Sequence, residues 1–93
     1  MDADKDKEAA NFLADALERL MALSLDTAED AARWDNECAT LQTEFEKQFP
    51  DFDVEHEVDH FFTDSDIRLR DPGYRQRQHR YISDYVRRLR NRL

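Results

Sequence analysis

The chain has 93 residues, with one glycine, two prolines and one cysteine; 40% of it is apolar and 39% charged. That is the size of one small domain with one modest core. A single glycine excludes the phosphate-cradling GxxxxGK and GxGxxG loops and argues against a many-turned sandwich or barrel. The net charge of −8 is divided unevenly, because residues 1–66 hold 20 Asp and Glu against 5 Lys and Arg, whereas residues 67–93 hold 9 Arg, no Lys and 2 Asp.

The sequence has no apolar run of the roughly 18 residues that a bilayer-spanning helix needs. The start, Met1-Asp2-Ala3-Asp4-Lys5-Asp6, has neither the basic head nor the apolar core of a signal peptide. Cys38 is alone, so no internal disulfide can form. The expected compartment is the cytosol.

In chain order, the spacing first predicts a helix from Asp4 to Ser24. Ala9, Phe12, Leu13, Ala16, Leu17, Leu20, Met21 and Leu23 recur at three and four residues and cover roughly half the helical wheel. Leu25-Asp26-Thr27 is a short connection. Thr27 and Asp30 then form a capping-box pattern for a second helix over Ala28 to about Phe49. Its stripe of Ala31, Trp34, Cys38, Leu41, Phe45 and Phe49 is narrow, which suits a two-helix seam and a homodimer. The short connection makes the two helices antiparallel neighbours, and Pro50 stops the second, because the residue before a proline disfavours helical geometry.

Residues 52–62 alternate apolar and polar, yet carry Asp and Glu at every other place, which disfavours a strand. A short third helix is the expectation there, followed by a loop or turn from Thr63 to Asp71. Asp71-Pro72 is a helix start, with Asp as N-cap and Pro in the first turn. The last helix should reach about Arg92, burying an arc of Tyr74, Tyr81, Ile82, Tyr85, Val86, Leu89 and Leu93. The predicted fold is therefore all-α, a single domain over residues 1–93: a long antiparallel hairpin, a short third helix and a basic C-terminal helix packed back on it. Leu17, Leu20, Trp34, Leu41, Phe45, Ile82 and Leu89 are its expected core.

Three groups of residues bear on function. His56-Glu57-Val58-Asp59-His60 matches HExxH, in which two histidines one helical turn apart hold zinc and the glutamate acts as general base. Asp59 inside the motif and Glu55 before it are unlike the apolar setting of a catalytic zinc, even with His79 imagined as a third ligand. The chain is expected to need no cofactor, with His56 and His60 as a weak metal-binding alternative. Asp51, Asp53, Glu55, Glu57 and Asp59 lack the glycine turn of a calcium loop and read as a solvated face.

The C-terminal arginines are the second group. Arginine offers a planar fork to carboxylate or phosphate. Helical spacing puts Arg77, Arg80, Arg87 and Arg88 opposite the apolar arc, where they would meet a partner's carboxylates or phosphates. Asp53, Glu57 and Asp64 are a second candidate surface, for a basic partner. Trp34 and Cys38, the third group, read as core, and no Cys-His-Asp nucleophile arrangement is recognisable. The expected function is non-enzymatic: a small cytosolic protein-interaction or regulatory module, of adaptor or inhibitor type. A nucleic-acid-binding regulator using the arginine helix is the alternative, and an HExxH zinc enzyme the remote one.

Overall fold

A computed structural model describes residues 3–91 of the chain, which form five helices and no strand. These are α1 (Ala3–Ala22), α2 (Ala28–Gln48), α3 (His56–Thr63), α4 (Ser65–Arg70) and α5 (Pro72–Asn91). The all-α fold is the one expected, with a helix more than the sequence suggested. Residues 92 and 93, the expected end of the last helix and of its apolar arc, lie outside the described residues.

α1 is the central element. Ala9, Ala10, Leu13, Ala14, Ala16, Leu17 and Leu20 are all buried, and its alanines let neighbours approach closely. α5 covers it more extensively than α2 does. Arg75, early in α5, reaches the carbonyl of Leu25 just beyond α1, while Arg90, near its end, reaches Asn11 and Asp15. The two helices therefore run antiparallel. α2 lies antiparallel on another side of α1, with Phe12 against Phe45 and Phe49 at one end and the Trp34 indole N–H donating to the Leu20 carbonyl at the other.

The α2 start is capped as its sequence suggests. The Thr27 hydroxyl accepts from the Asp30 N–H at 3.1 Å, and the Asp30 carboxylate accepts from the N–H groups of Asp26 and Thr27. The Asp30 carboxyl is consequently held below its ordinary range, chiefly by the Asp26 N–H. Trp34, Cys38 and Phe45 of the narrow stripe are buried within the same chain, so that seam needs no second copy to cover it. Leu41, expected in the core, is only partly buried and lines a cleft. The other six expected core residues are buried.

Three local expectations are corrected. The third helix starts at His56 and not at Phe52. Residues 49–55 form a non-helical strap that opens with a turn, Phe52 N–H donating to the Phe49 carbonyl at 3.2 Å, and ends where Glu55 meets α5, accepting from the Tyr81 hydroxyl and, at 2.7 Å, from Arg88. Glu55 thus leaves the solvated acidic run, while Asp51, Asp53, Glu57 and Asp59 remain exposed. The expected loop at 63–71 holds α4. Asp64 is the joint: its N–H donates to the His60 carbonyl and its own carbonyl accepts from Arg68 N–H at 3.0 Å, so helical bonding nearly continues through it. Asp71 then caps α5 as predicted, accepting the Tyr74 N–H at 3.1 Å.

Candidate functional site

Four regions combine polar chemistry with accessible or buried functional groups. The first is the basic face of α5. Arg77, Arg80, Arg87 and Arg88 are all exposed, but they do not form one uniform surface. Arg88 is engaged within the fold by Glu55 and by the rings of Tyr81 and Tyr85, at 5.8 and 5.2 Å from its guanidinium. Arg87 pairs with Asp84 one turn back at 3.2 Å. Arg77 lies over the Tyr74 ring at 5.8 Å, and neither it nor Arg80 has a carboxylate partner among the described residues. Arg90, on the side facing α1, is held by Asp15 and Glu18. The acidic body thus claims some arginines, and Arg77, Arg80 and Arg87 remain as the outward stripe.

The second region was illegible in the sequence. Arg68 of α4 is only 1% exposed. Its guanidinium sits between the rings of Trp34 and Phe61, 4.4 Å from each centroid. Nη1 donates to the Phe61 carbonyl at 2.7 Å and to Gln78 Oε1 at 2.6 Å, while Nε and Nη2 find no acceptor among the described residues. Burial lowers its pKa to about 10, partly offset by Asp64, so it stays charged near neutrality. From Arg68 a hydrogen-bonded path runs outward: the Gln78 amide donates to Tyr74 Oη at 3.0 Å, and Tyr74 donates to Asp64 Oδ2 at 2.6 Å. That bond to a carboxylate raises the Tyr74 pKa. Ser65 donates to Asp35 at 2.6 Å beside it. The thiol of Cys38, also buried here, is pushed up to about 12, chiefly by burial, which makes it a poor nucleophile.

The third region is the histidine motif. α3 turns Val58 and Phe61 inward and leaves His56, Glu57, Asp59 and His60 exposed. His56 and His60 stand with their Nε2 atoms 3.1 Å apart. His79 is not with them: it packs half-buried on the ring of Phe61, and burial lowers its pKa, with Arg68 and Arg75 adding to the effect. No group of three or more His, Cys, Asp or Glu placed to hold a metal forms among the described residues.

The fourth region is an open cleft of about 460 Å³ between α1, α2, the strap and α3. Leu41, Phe45, Phe52 and Phe62 form its apolar walls, and its two charged lining residues, Glu46 and Asp59, are both acidic. A smaller hollow of about 270 Å³ adjoins it across Phe49, Pro50 and Phe52. The sequence carried a signal for this feature in the clustered Phe45, Phe49, Phe52 and Phe62, too many for one short segment to bury. Of the expected acidic surface, Asp53 and Glu57 are exposed but do not line the cleft, whereas Asp64 is partly buried at the α3–α4 joint and committed to Tyr74.

Compared with known proteins, the chain matches no family model, no curated protein and no solved structure. No helix among the described residues is long and apolar enough to cross a membrane.

Proposed function

We propose that this chain is a small, non-enzymatic protein-interaction module of the cytosol, an adaptor or inhibitor-like regulator. Its cleft receives a basic amphipathic helix from another protein. The observation that carries this reading is the cleft itself: apolar walls, open access and acidic charge at Glu46 and Asp59. Apolar side chains of the incoming helix would fill the walls and its Lys or Arg residues would meet the rim, the arrangement by which grooves take amphipathic helices. A buried free thiol at Cys38 fits a reducing compartment. The exposed setting of Glu57 and the separation of His79 from the histidine pair support the non-catalytic assignment.

The test uses an amphipathic Leu/Lys peptide and a Leu/Glu peptide of the same pattern, followed by the NMR shifts of Leu41, Val54 and Phe62. The basic peptide should perturb these residues and the acidic one should not, and Glu46→Lys with Asp59→Lys should reverse the preference. Equal binding of both peptides, or perturbations confined elsewhere, would refute the reading.

Arg77, Arg80 and Arg87 favour a second reading, in which this stripe meets acidic groups, either carboxylates of a protein or phosphates of nucleic acid. Arg77 and Arg80 lack carboxylate partners in the described fold, as a surface awaiting an anion would. Single-stranded RNA binding that persists at physiological salt, and is lost when Arg77, Arg80 and Arg87 are changed to Glu, would select the nucleic-acid regulator.

A further inference from the structure

The histidine pair has a geometry that neither the fold nor the proposed interaction requires. His56 and His60 lie one turn apart on the exposed side of α3, with ring centroids 4.6 Å apart and planes at 84°. Their Nε2 atoms approach to 3.1 Å, a hydrogen bond between the two rings, so a cation bound to both would take the place of the shared proton. At metal–nitrogen distances of about 2.0–2.1 Å, one cation bound to both would subtend an N–metal–N angle of about 98°. That lies between the square and tetrahedral values, so both rings reach a single ion without leaving the helix. His60 also has its outer nitrogen, Nδ1, facing Asp64 Oδ2 at 3.8 Å. Asp64 is itself fixed by the Tyr74 hydroxyl at 2.6 Å. At that distance the two do not hydrogen-bond, but a shift of less than about 1 Å would bring the anchored carboxylate to the place from which such groups orient metal-bound histidines. Exposed Glu57 and Asp59 add negative charge around the pair.

We propose that His56 and His60 form a two-point chelate for an exchangeable divalent transition-metal ion, with Asp64 as the positioning residue. Two imidazoles of borderline softness favour Cu²⁺ over Zn²⁺ and both over Mg²⁺ or Ca²⁺. Two protein ligands leave the other coordination positions to water or to a donor on another molecule. Such an ion serves a bridging or sensing role, and it is readily removed by chelators. The proposal is independent of the cleft.

The test is calorimetric titration of the full chain with Zn²⁺, paired with electron paramagnetic resonance of the Cu²⁺ form. The expected result is one ion per chain with two imidazole nitrogens in the Cu²⁺ spectrum. Affinity should fall at least tenfold in His56→Ala and in His60→Ala, fall about tenfold in Asp64→Asn, and stay unchanged in His79→Ala. Circular dichroism and an Mg²⁺ titration accompany each variant, and His56→Gln repeats the first in a second side chain. Wild-type affinity in His56→Ala, a spectrum with fewer than two nitrogens, or equal competition by Mg²⁺ would each overturn the assignment and point to the acidic run as an unspecific binder.

Discussion

Arg68 carries a charge to a place that offers it two aromatic faces, one carbonyl and one amide, but no ion pair among the described residues. Removing a partner from a buried charged donor costs more than the bond contributes, because the donor is left desolvated. Gln78→Ala is therefore predicted to destabilise the protein by about 1–3 kcal/mol in urea unfolding. In an Arg68→Met background the same change should cost far less, since the orphaned charge is gone. Equal costs in both backgrounds would mean that Gln78 acts through Tyr74 alone. His79 gives a prediction in pH. Its native pKa is depressed below the ordinary 6.5, chiefly by burial. The unfolded chain therefore takes up the proton first as pH falls, and stability supplied by the neutral ring above pH 6.5 is lost towards the lower native value. The difference in unfolding free energy between wild type and His79→Gln should shrink across that acid window and be constant above it.

At the scale of elements, Glu55 ties the end of the strap to α5, while Phe49, Phe52 and Val54 pack its length on the core. Glu55 accepts from both Tyr81 and Arg88 of α5, which also raises the Tyr81 pKa. Glu55→Ala is expected to cost only roughly 1 kcal/mol, because the site is partly exposed. It should nevertheless speed amide exchange at Phe52 and at Val58, whose N–H donates to the Glu55 carbonyl. α1, α2 and α5 were legible because their apolar residues recur at helical spacing and their ends carry Thr27, Asp30 and Asp71-Pro72. α4 was not, because Thr63-Asp64-Ser65-Asp66 is a run of turn formers and the residue that α4 buries most deeply is an arginine. A periodicity reading counts Arg68 as solvent-facing, so the central polar network disappeared with it. The same blindness affected Arg88: the wheel placed it outward correctly, but could not show that Glu55 waits there.

For the molecule as a whole, the charge division becomes an internal attraction with a remainder. Arg75, Arg88 and Arg90 join α5 to acidic groups of the body, while the stripe of Arg77, Arg80 and Arg87 stays outward. Changing those three to Glu is predicted to cost only about 1 kcal/mol, because the sites are exposed and the Arg87–Asp84 pair and the Arg77–Tyr74 contact that are lost lie at the surface. Leu17→Ala, in contrast, should cost about 2–5 kcal/mol, because Leu17 is fully buried in the helix that packs against both α2 and α5. Thermal unfolding of the two variants side by side checks both values; a collapse of the triple variant would show that the stripe holds the fold together.

The broad antiparallel contact between α1 and α5 has a consequence for how the chain is made. About 50 residues separate the end of α1 from the start of α5. At translation rates of about 5–20 residues per second, that stretch takes roughly 3–10 s to emerge. For the first part of that interval the alanine and leucine face of α1 has no partner, and for the rest it has α2 to lean on but not the helix that makes its broader contact. The nascent chain therefore presents a sticky helix to the ribosome exit and its chaperones until α5 arrives, and the α1 face is closed only by a helix made well after it.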